Sequence, residues 1–488
     1  MHRSLYVLII AAFFMTPAAL RAAEPSAGKA IYDKVSPSLV AVEYTWETEL
    51  GRRELTGAGV VVGDDGLVMV SIGFIHTSIP DAQMTDFKII VPQKDGEPEE
   101  VEAELLGRDE RTDLAFVKVK SAAASTQTTQ TTQSTQAAEK REKSEPRKWT
   151  AIKFEEKPLV VGEPVYSVGV LPKEAGYKTY LTEGIVGAQL RGPVPFTLVS
   201  GGGLAAVGSP VFNSEGTAIG FVNYQEEQRV FLNDPRDPMN AVTNPPKFFV
   251  PTRDFALSFE DLPKVGEQMK LPWLGVPQNA MGGLNEDVAE ALGLKNVAAV
   301  ELGDVLEGSP AEKAGLKSGD IVLKIDGEAI ERGDSPEELP EILIRKVRRK
   351  NVGDTVKLSI FSGKDEPPKE VAVELTERPK GPNLAERYWA EDLGFAVREI
   401  VFMDTYMRKL PTDAKGVVVA LLKPNGSAQS AELQMNDMIT EMNGTPVEGI
   451  AQFKETYEAF RKDKPREAVV LVVRREAGTQ VIRIEPPQ

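Results

Sequence analysis

The chain has 488 residues, 73 of them acidic and 57 basic, for a formal net charge of −16, and it contains no cysteine. That length provides for about three domains, and the acidic balance repels polyphosphate, which argues against nucleic acid as a partner. The missing thiol excludes disulfides, thiol catalysis and thiolate metal sites, and with histidine only at His2 and His76 neither a metal nor a cofactor is expected.

The first 23 residues combine His2 and Arg3, the apolar run "LYVLIIAAFFM" and a small-residue stretch from Ala18 to Ala23. That order of features predicts a secretory signal peptide over 1–23, and hence export to the periplasm or the medium. An uncleaved anchor is the alternative, but an 11-residue run is short for a bilayer span. No stable membrane span is expected after cleavage. His76 is then the one histidine of the mature chain, and any mechanism that needs an imidazole base must use it.

From Val40 to Val119 the segments "LVAVEY", "GAGVVVG", "GLVMVS", "KIIVPQ" and "LAFVKV" are short, β-branched and separated by turn residues. They predict a barrel or sandwich. Residues 121–148 are rich in Thr, Gln and charge without apolar periodicity, so they predict a solvated linker, with a sugar-bearing stalk as the alternative. Strands resume at "KPLVVGEPVYSVGV", "YKTYLTEGIVGAQL", "PFTLVS", "GSPVF" and "TAIGFVNY". The expectation is mainly β: two barrels within 24–260, joined by the linker. A proline-studded passage over 233–251 and a helix in "TRDFALSFEDLP" complete that part.

The C-terminal third repeats itself. "SPAEKAGLKSGDIVLKIDGEAI" at 309–330 is echoed by "GSAQSAELQMNDMITEMNGTPV" at 426–447, and "WLGV" at 273–276 by "DLGF" at 392–395. Each copy predicts a small α+β unit: a small-residue helix, a turn, a strand, a tight Asp326-Gly327 or Asn443-Gly444 turn, a second helix and closing strands. The copies are placed at 270–379 and 385–488.

Both copies resemble PDZ domains. That resemblance implies peptide binding by strand addition, with the peptide carboxylate in a nest of N–H groups. The matching positions are Trp273, Leu274, Gly275 and Val276 in the first copy and Leu393, Gly394 and Phe395 in the second. Asp392, beside the second loop, would oppose a bound carboxylate. With two such repeats behind it, residues 36–260 resemble the HtrA/Deg family of periplasmic serine proteases, whose catalytic domain is a chymotrypsin-like double β-barrel. The resemblance implies envelope protein quality control, with unfolded proteins or exposed C-terminal peptides as partners. It also implies a trimer built through the barrels, or a mixed oligomer in which this chain regulates active relatives.

Laid on the family pattern, the triad positions fall on Gly73, Asp113 and Val207. "GGGLAAVGSP" matches the nucleophile loop, with Ala205, Ala206 and Val207 on its Gly-Asn-Ser. Valine has neither a proton to give nor a lone pair with which to attack, and glycine cannot accept a proton. The expectation is therefore a pseudoprotease that binds peptides as a scaffold, holdase or regulator. The rival is an active serine endopeptidase using a displaced pair, His76 and Ser209; a misplacement of ~1 Å in such geometry already costs ~100-fold.

Overall fold

The computed structural model describes residues 26–120, 147–190, 195–223, 247–265, 269–333, 335–363, 366–411, 413–475 and 478–487. The expected signal peptide and residues 121–146 of the expected linker lie outside the described residues.

A first helix, α1 (Ala27–Val35), is capped by Ser26, whose hydroxyl accepts from the Lys29 N–H. The first barrel follows as β1 (Leu39–Thr48), β2 (Gly51–Val61), β3 (Leu67–Ser71), β4 (Met84–Val91), β5 (Glu99–Asp109) and β6 (Leu114–Val119). It closes in the order β1-β2-β3-β6-β5-β4. The second comprises β7 (Pro164–Val170), β8 (Thr179–Leu190), β9 (Phe196–Gly201), β10 (Pro210–Asn213), β11 (Ala218–Phe221) and β12 (Phe248–Pro251), closed as β10-β11-β12-β9-β8-β7. Closure removes the free edges that a β-rich chain must otherwise protect.

Two of these strands differ from the sequence expectation. Strand β5 lies in an acidic stretch, "EEVEAELLGRD", of which Val101, Ala103 and Leu105 pack into one apolar cluster. Strand β12 sits inside the proline-studded passage. Pro251 is its last residue and pairs with Gly220, a terminal position where a missing N–H is tolerated. The helix expected after it is the single turn α2 (Leu257–Glu260).

A buried polar network ties that turn to the first barrel. The Arg111 guanidinium donates to both oxygens of Asp109 at 2.9 Å and to the Asp261 carbonyl at 3.1 Å. Ser258 Oγ donates to Asp109 Oδ2 at 2.8 Å. Asp109 is fully buried and Arg111 nearly so, and each charge is paired and hydrogen-bonded, which is the condition for burying it.

The first repeat holds β13 (Pro272–Trp273), β14 (Met281–Gly283), α3 (Glu286–Ala291), β15 (Val300–Leu302), α4 (Pro310–Lys313), β16 (Ile321–Ile325), β17 (Glu328–Ala329), α5 (Leu339–Arg348), β18 (Thr355–Ile360), β19 (Lys369–Glu374) and β20 (Thr376–Glu377). The second holds β21 (Arg387–Ala390), β22 (Phe395–Arg398), α6 (Phe402–Met407), β23 (Val417–Leu422), α7 (Ser427–Ser430), β24 (Met438–Met442), β25 (Thr445–Pro446), α8 (Ile450–Asp463), β26 (Val469–Arg475) and β27 (Gly478–Ile484). The Asp326-Gly327 and Asn443-Gly444 turns have positive φ at both residues (53° and 81°, 49° and 78°), as a two-residue hairpin turn of that sequence requires.

Phe74 shows how the first barrel is sealed beside the inter-barrel seam. A Cβ at Gly57 in β2 would lie 2.5 Å from the Phe74 ring, so the ring is seated on bare backbone. Tyr44 packs edge-on to that ring at 5.3 Å and donates from its hydroxyl to the Phe74 carbonyl at 3.0 Å. Gly57→Ala is expected to displace the ring and destabilise the chain by ~1–3 kcal/mol, read as a lowered denaturant midpoint at unchanged slope.

Candidate functional site

The seam between the barrels is built around β3 and the turn before β6. Ser71, the last residue of β3, donates from Oγ to Asn223 Oδ1 at 2.6 Å and accepts from the Gly73 N–H at 3.2 Å. Asn223 Nδ2 donates to the Asp113 carbonyl at 3.0 Å, which also accepts from Ile72 N–H at 3.1 Å. Asp113 is held at φ +58°, in the left-handed region, by these two bonds to its carbonyl. Gly73 and Asp113 thus flank one seam. The two residues after Gly73, Phe74 and Ile75, are buried apolar side chains.

The segment from Gly203 to Pro210 is buried throughout. Gly208 adopts φ +98°, and a Cβ there would lie 2.3 Å from the Ala58 carbonyl oxygen, so only glycine fits. Its N–H donates to the Val222 carbonyl at 2.7 Å, and Val222 N–H donates to the Ser209 carbonyl at 2.8 Å. Ala206 N–H is taken by the Tyr180 hydroxyl at 2.9 Å. Val207 is 4% exposed and belongs to the apolar cluster that contains Phe74, Ile75, Leu204 and Val222.

The displaced pair is not brought together. Ser209 is fully buried, and its Oγ has no hydrogen-bond partner among the described residues. His76 is exposed, and its Nδ1 accepts from the Ser78 N–H at 3.0 Å, with Ser78 Oγ 2.7 Å away. The loop around it is strapped by Arg108, which donates to the His76 carbonyl at 2.8 Å and the Ile79 carbonyl at 2.9 Å. His76 faces a cleft of about 310 Å³ that also meets Glu110 of the first barrel, Trp273 and Arg378 of the first repeat and Phe402 of the second.

The first repeat is seated against the barrels. Arg378 donates to both Glu110 carboxylate oxygens at 3.0 and 2.8 Å, and Arg349 to the Asp254 carbonyl at 3.1 Å. Arg345 and Arg348 of α5 bring positive charge to bear on Asp113. Burial nonetheless pushes the Asp113 carboxyl above the usual carboxylate range, with those arginines opposing the shift.

In that repeat Leu274 and Val276 are buried, Gly275 has φ +97°, and a Cβ there would strike Ser309. Trp273 is half-buried, with its ring edge-on to Phe402 at 5.6 Å. Among the described residues none accepts from the N–H groups of Leu274, Gly275 or Val276. The strand that should follow is interrupted, however. Pro277 has no N–H, Gln278–Ala280 is one 3-10 turn, and regular pairing resumes only at β14, which pairs with β15.

In the second repeat Leu393 and Phe395 are buried and Gly394 has φ +71°. Asp392 is charge-balanced locally: Arg461 Nε lies 2.7 Å from one carboxylate oxygen and Tyr457 donates to the other at 2.5 Å. The sequence reading missed these two residues of α8, whose i, i+4 spacing was its only signal.

An acid whose folded pKa is raised binds its proton more readily folded than unfolded, so it subtracts stability as pH rises through the unfolded value toward the folded one. Asp113→Asn should therefore raise the melting temperature at pH 7 relative to the unsubstituted chain. The gain should shrink as pH falls toward ~4, near the unperturbed carboxylate pKa. Calorimetric melts of both proteins across that range check it.

Comparison with known proteins agrees with this architecture. Residues 57–221 match the family model described as a trypsin-like peptidase domain, and residues 302–350 and 389–473 each match a PDZ domain. The chain is similar to a probable periplasmic serine endoprotease DegP-like from Hahella chejuensis, with 27% identity over 85% of this chain and 78% of the relative. A protein of the same description from Marinomonas sp. is 27% identical over 83% of this chain and 74% of that one. Among solved structures, a variant of the HtrA-type protease AlgW with a decapeptide superimposes with a TM-score of 0.50 at 17% identity, covering 72% of this chain and 98% of that one, a likeness of fold. The chain carries a trypsin-like peptidase domain followed by two PDZ domains, and it is similar over most of its length to proteins named periplasmic serine endoproteases DegP-like.

Proposed function

We propose that this chain is a catalytically silent protein of the HtrA/Deg type, working in the periplasm as a peptide- or protein-binding scaffold, holdase or regulator. The observation that carries the reading is Val207. The triad alignment puts the nucleophile there, and its side chain is 4% exposed within an apolar cluster. A nucleophile needs a lone pair, an adjacent base and access to a carbonyl, and this position supplies none of them.

Two further features support the reading. Gly73 presents no side chain to the seam, and Phe74 and Ile75 beside it are apolar and buried, so a one-residue shift of the alignment still brings no imidazole. Positive charge on the carboxyl of Asp113 comes from Arg345 and Arg348 of the first PDZ domain. The displaced pair fares no better, because Ser209 Oγ is closed off from solvent while His76 is bonded within its own loop. Export to the periplasm is the matching reading of place, since the relatives are named periplasmic endoproteases.

Purified folded protein is expected to show no labelling by a fluorophosphonate probe and no degradation of casein. Labelling that disappears in a Ser209→Ala protein would overturn the reading. Val207→Ser is expected to remain unlabelled and to lose ~1–3 kcal/mol in denaturant melts, because it places a hydroxyl in an apolar site.

A further inference from the structure

The outer edge of β22 is the edge to which a PDZ ligand adds its strand, and here it is already paired. Strand β21 runs antiparallel to it in the register Arg387↔Arg398, Tyr388↔Val397, Trp389↔Ala396 and Ala390↔Phe395, while β23 holds the opposite edge. The direction is that of a bound peptide: β21 ends at the loop that receives a ligand's C-terminus.

The details at that end are those of a ligand. The Ala390 carbonyl accepts from the Gly394 N–H at 2.9 Å and the Leu393 N–H at 3.2 Å, the donors that the domain's chemistry reserves for a terminal carboxylate. Ala390 is 1% exposed and belongs to the domain's apolar cluster. Two residues upstream, on the same face, Tyr388 lies between β22 and α8. Its ring sits edge-on to Phe453 at 6.2 Å and to Tyr457 at 5.9 Å, both of which also contact Phe395.

We propose that β21 is a tethered ligand of the second PDZ domain, and that the groove takes an outside peptide only when β21 is displaced. The pattern it presents, an aromatic residue two positions before a small apolar one, is the pattern of C-terminus that the groove accepts. The tether is the four-residue reach from Ala390 back to Leu393 and Gly394, and so short a link gives a local concentration of ~mM or above that a competitor must exceed. Strand β21 also follows directly on the segment that leaves the first PDZ domain through Arg378. Lys380 pairs with Glu399 at 3.0 Å, and the Glu386 N–H donates to the same carboxylate at 3.1 Å. A pull that separates the two PDZ domains therefore acts on the strand that closes the groove.

The inference rests on reading the repeat as a peptide-binding PDZ domain and is independent of whether the barrels are catalytic, since fluorophosphonate labelling does not report on β21. The probe is a fluorescent heptapeptide with the sequence of residues 384–390, Leu-Ala-Glu-Arg-Tyr-Trp-Ala, and a free carboxyl end. It is titrated into the mature full chain and into Tyr388→Asp/Ala390→Asp, whose charges expel β21 from the groove. The double variant is expected to bind it at least ~10-fold more tightly than the unsubstituted chain, given the advantage of the tether. Equal binding by both proteins overturns the proposal, as does no binding by a double variant whose β22 and β23 amides stay protected from exchange. If the double variant loses that protection, the decision passes to Trp389→Cys/Ala396→Cys, a facing pair in a chain without other cysteines. Peptide binding at least ~5-fold tighter with the pair reduced than oxidised supports displacement, and indifference to the disulfide overturns it.

Discussion

The exchange of hydrogen bonds between Gly208, Ser209 and Val222 clamps the loop at 203–210 into the interior of the double barrel. Gly208 can enter that clamp because it has no Cβ to meet the Ala58 carbonyl, and once it is in place Val207 faces the apolar cluster rather than a cleft. Everything else about the seam follows from this closure. Ser209 is buried with the rest of the loop, the Ala206 N–H finds the Tyr180 hydroxyl, and Phe74 rests on the bare backbone of Gly57. In an active hydrolase the same backbone would have to keep donors free and a nucleophile exposed, at a cost in stability. On the proposed reading, the residues that stand at the nucleophile position and beside it are the ones that let the loop join the core.

The PDZ domains depart from an open binding module in two different ways. The first keeps unclaimed N–H groups in its loop but breaks the following strand with Pro277 and a 3-10 turn, so an added strand would find few donors in sequence. It is fastened to the barrels through Arg349 and Arg378, both of which reach acidic residues or carbonyls near the seam. The second has a regular strand, β22, with donors in register, and those donors are met from within the chain by β21. An unpaired strand edge invites association, and covering it internally is a common remedy. What is unusual is that the cover has the direction, the terminal carbonyl placement and the two inward side chains of a ligand.

Much of this was legible in the residues. Short β-branched segments separated by glycine and aspartate turns specify strands, and Asp326-Gly327 and Asn443-Gly444 take the turn conformations that such pairs favour. That residue 207 is valine and residue 73 glycine is a plain fact of the sequence, and on the proposed reading that alone removes the nucleophile and its base. Other features depend on contacts that no local pattern encodes. Strand β5 alternates acidic and apolar residues and β12 is a four-residue strand ending in proline, so each is recognisable only as the partner that closes a barrel. The expectation that Asp392 repels a carboxylate took the charge alone; Arg461 and Tyr457 reach it from a helix about 65 residues downstream. Arg387–Ala390 has no feature in the sequence that separates a strand leading into a loop from a strand lying in a groove.

Native-state hydrogen exchange of the amides at Ala206, Gly208 and Ser209 tests the central claim most directly. If the loop is part of the folding core, these amides exchange only through global unfolding, with the same opening free energy as the strands of the second barrel. Fast exchange at these positions, with β10 and β11 still protected, would mean that the loop opens as a separate unit, as a working active-site loop does, and would contradict the account.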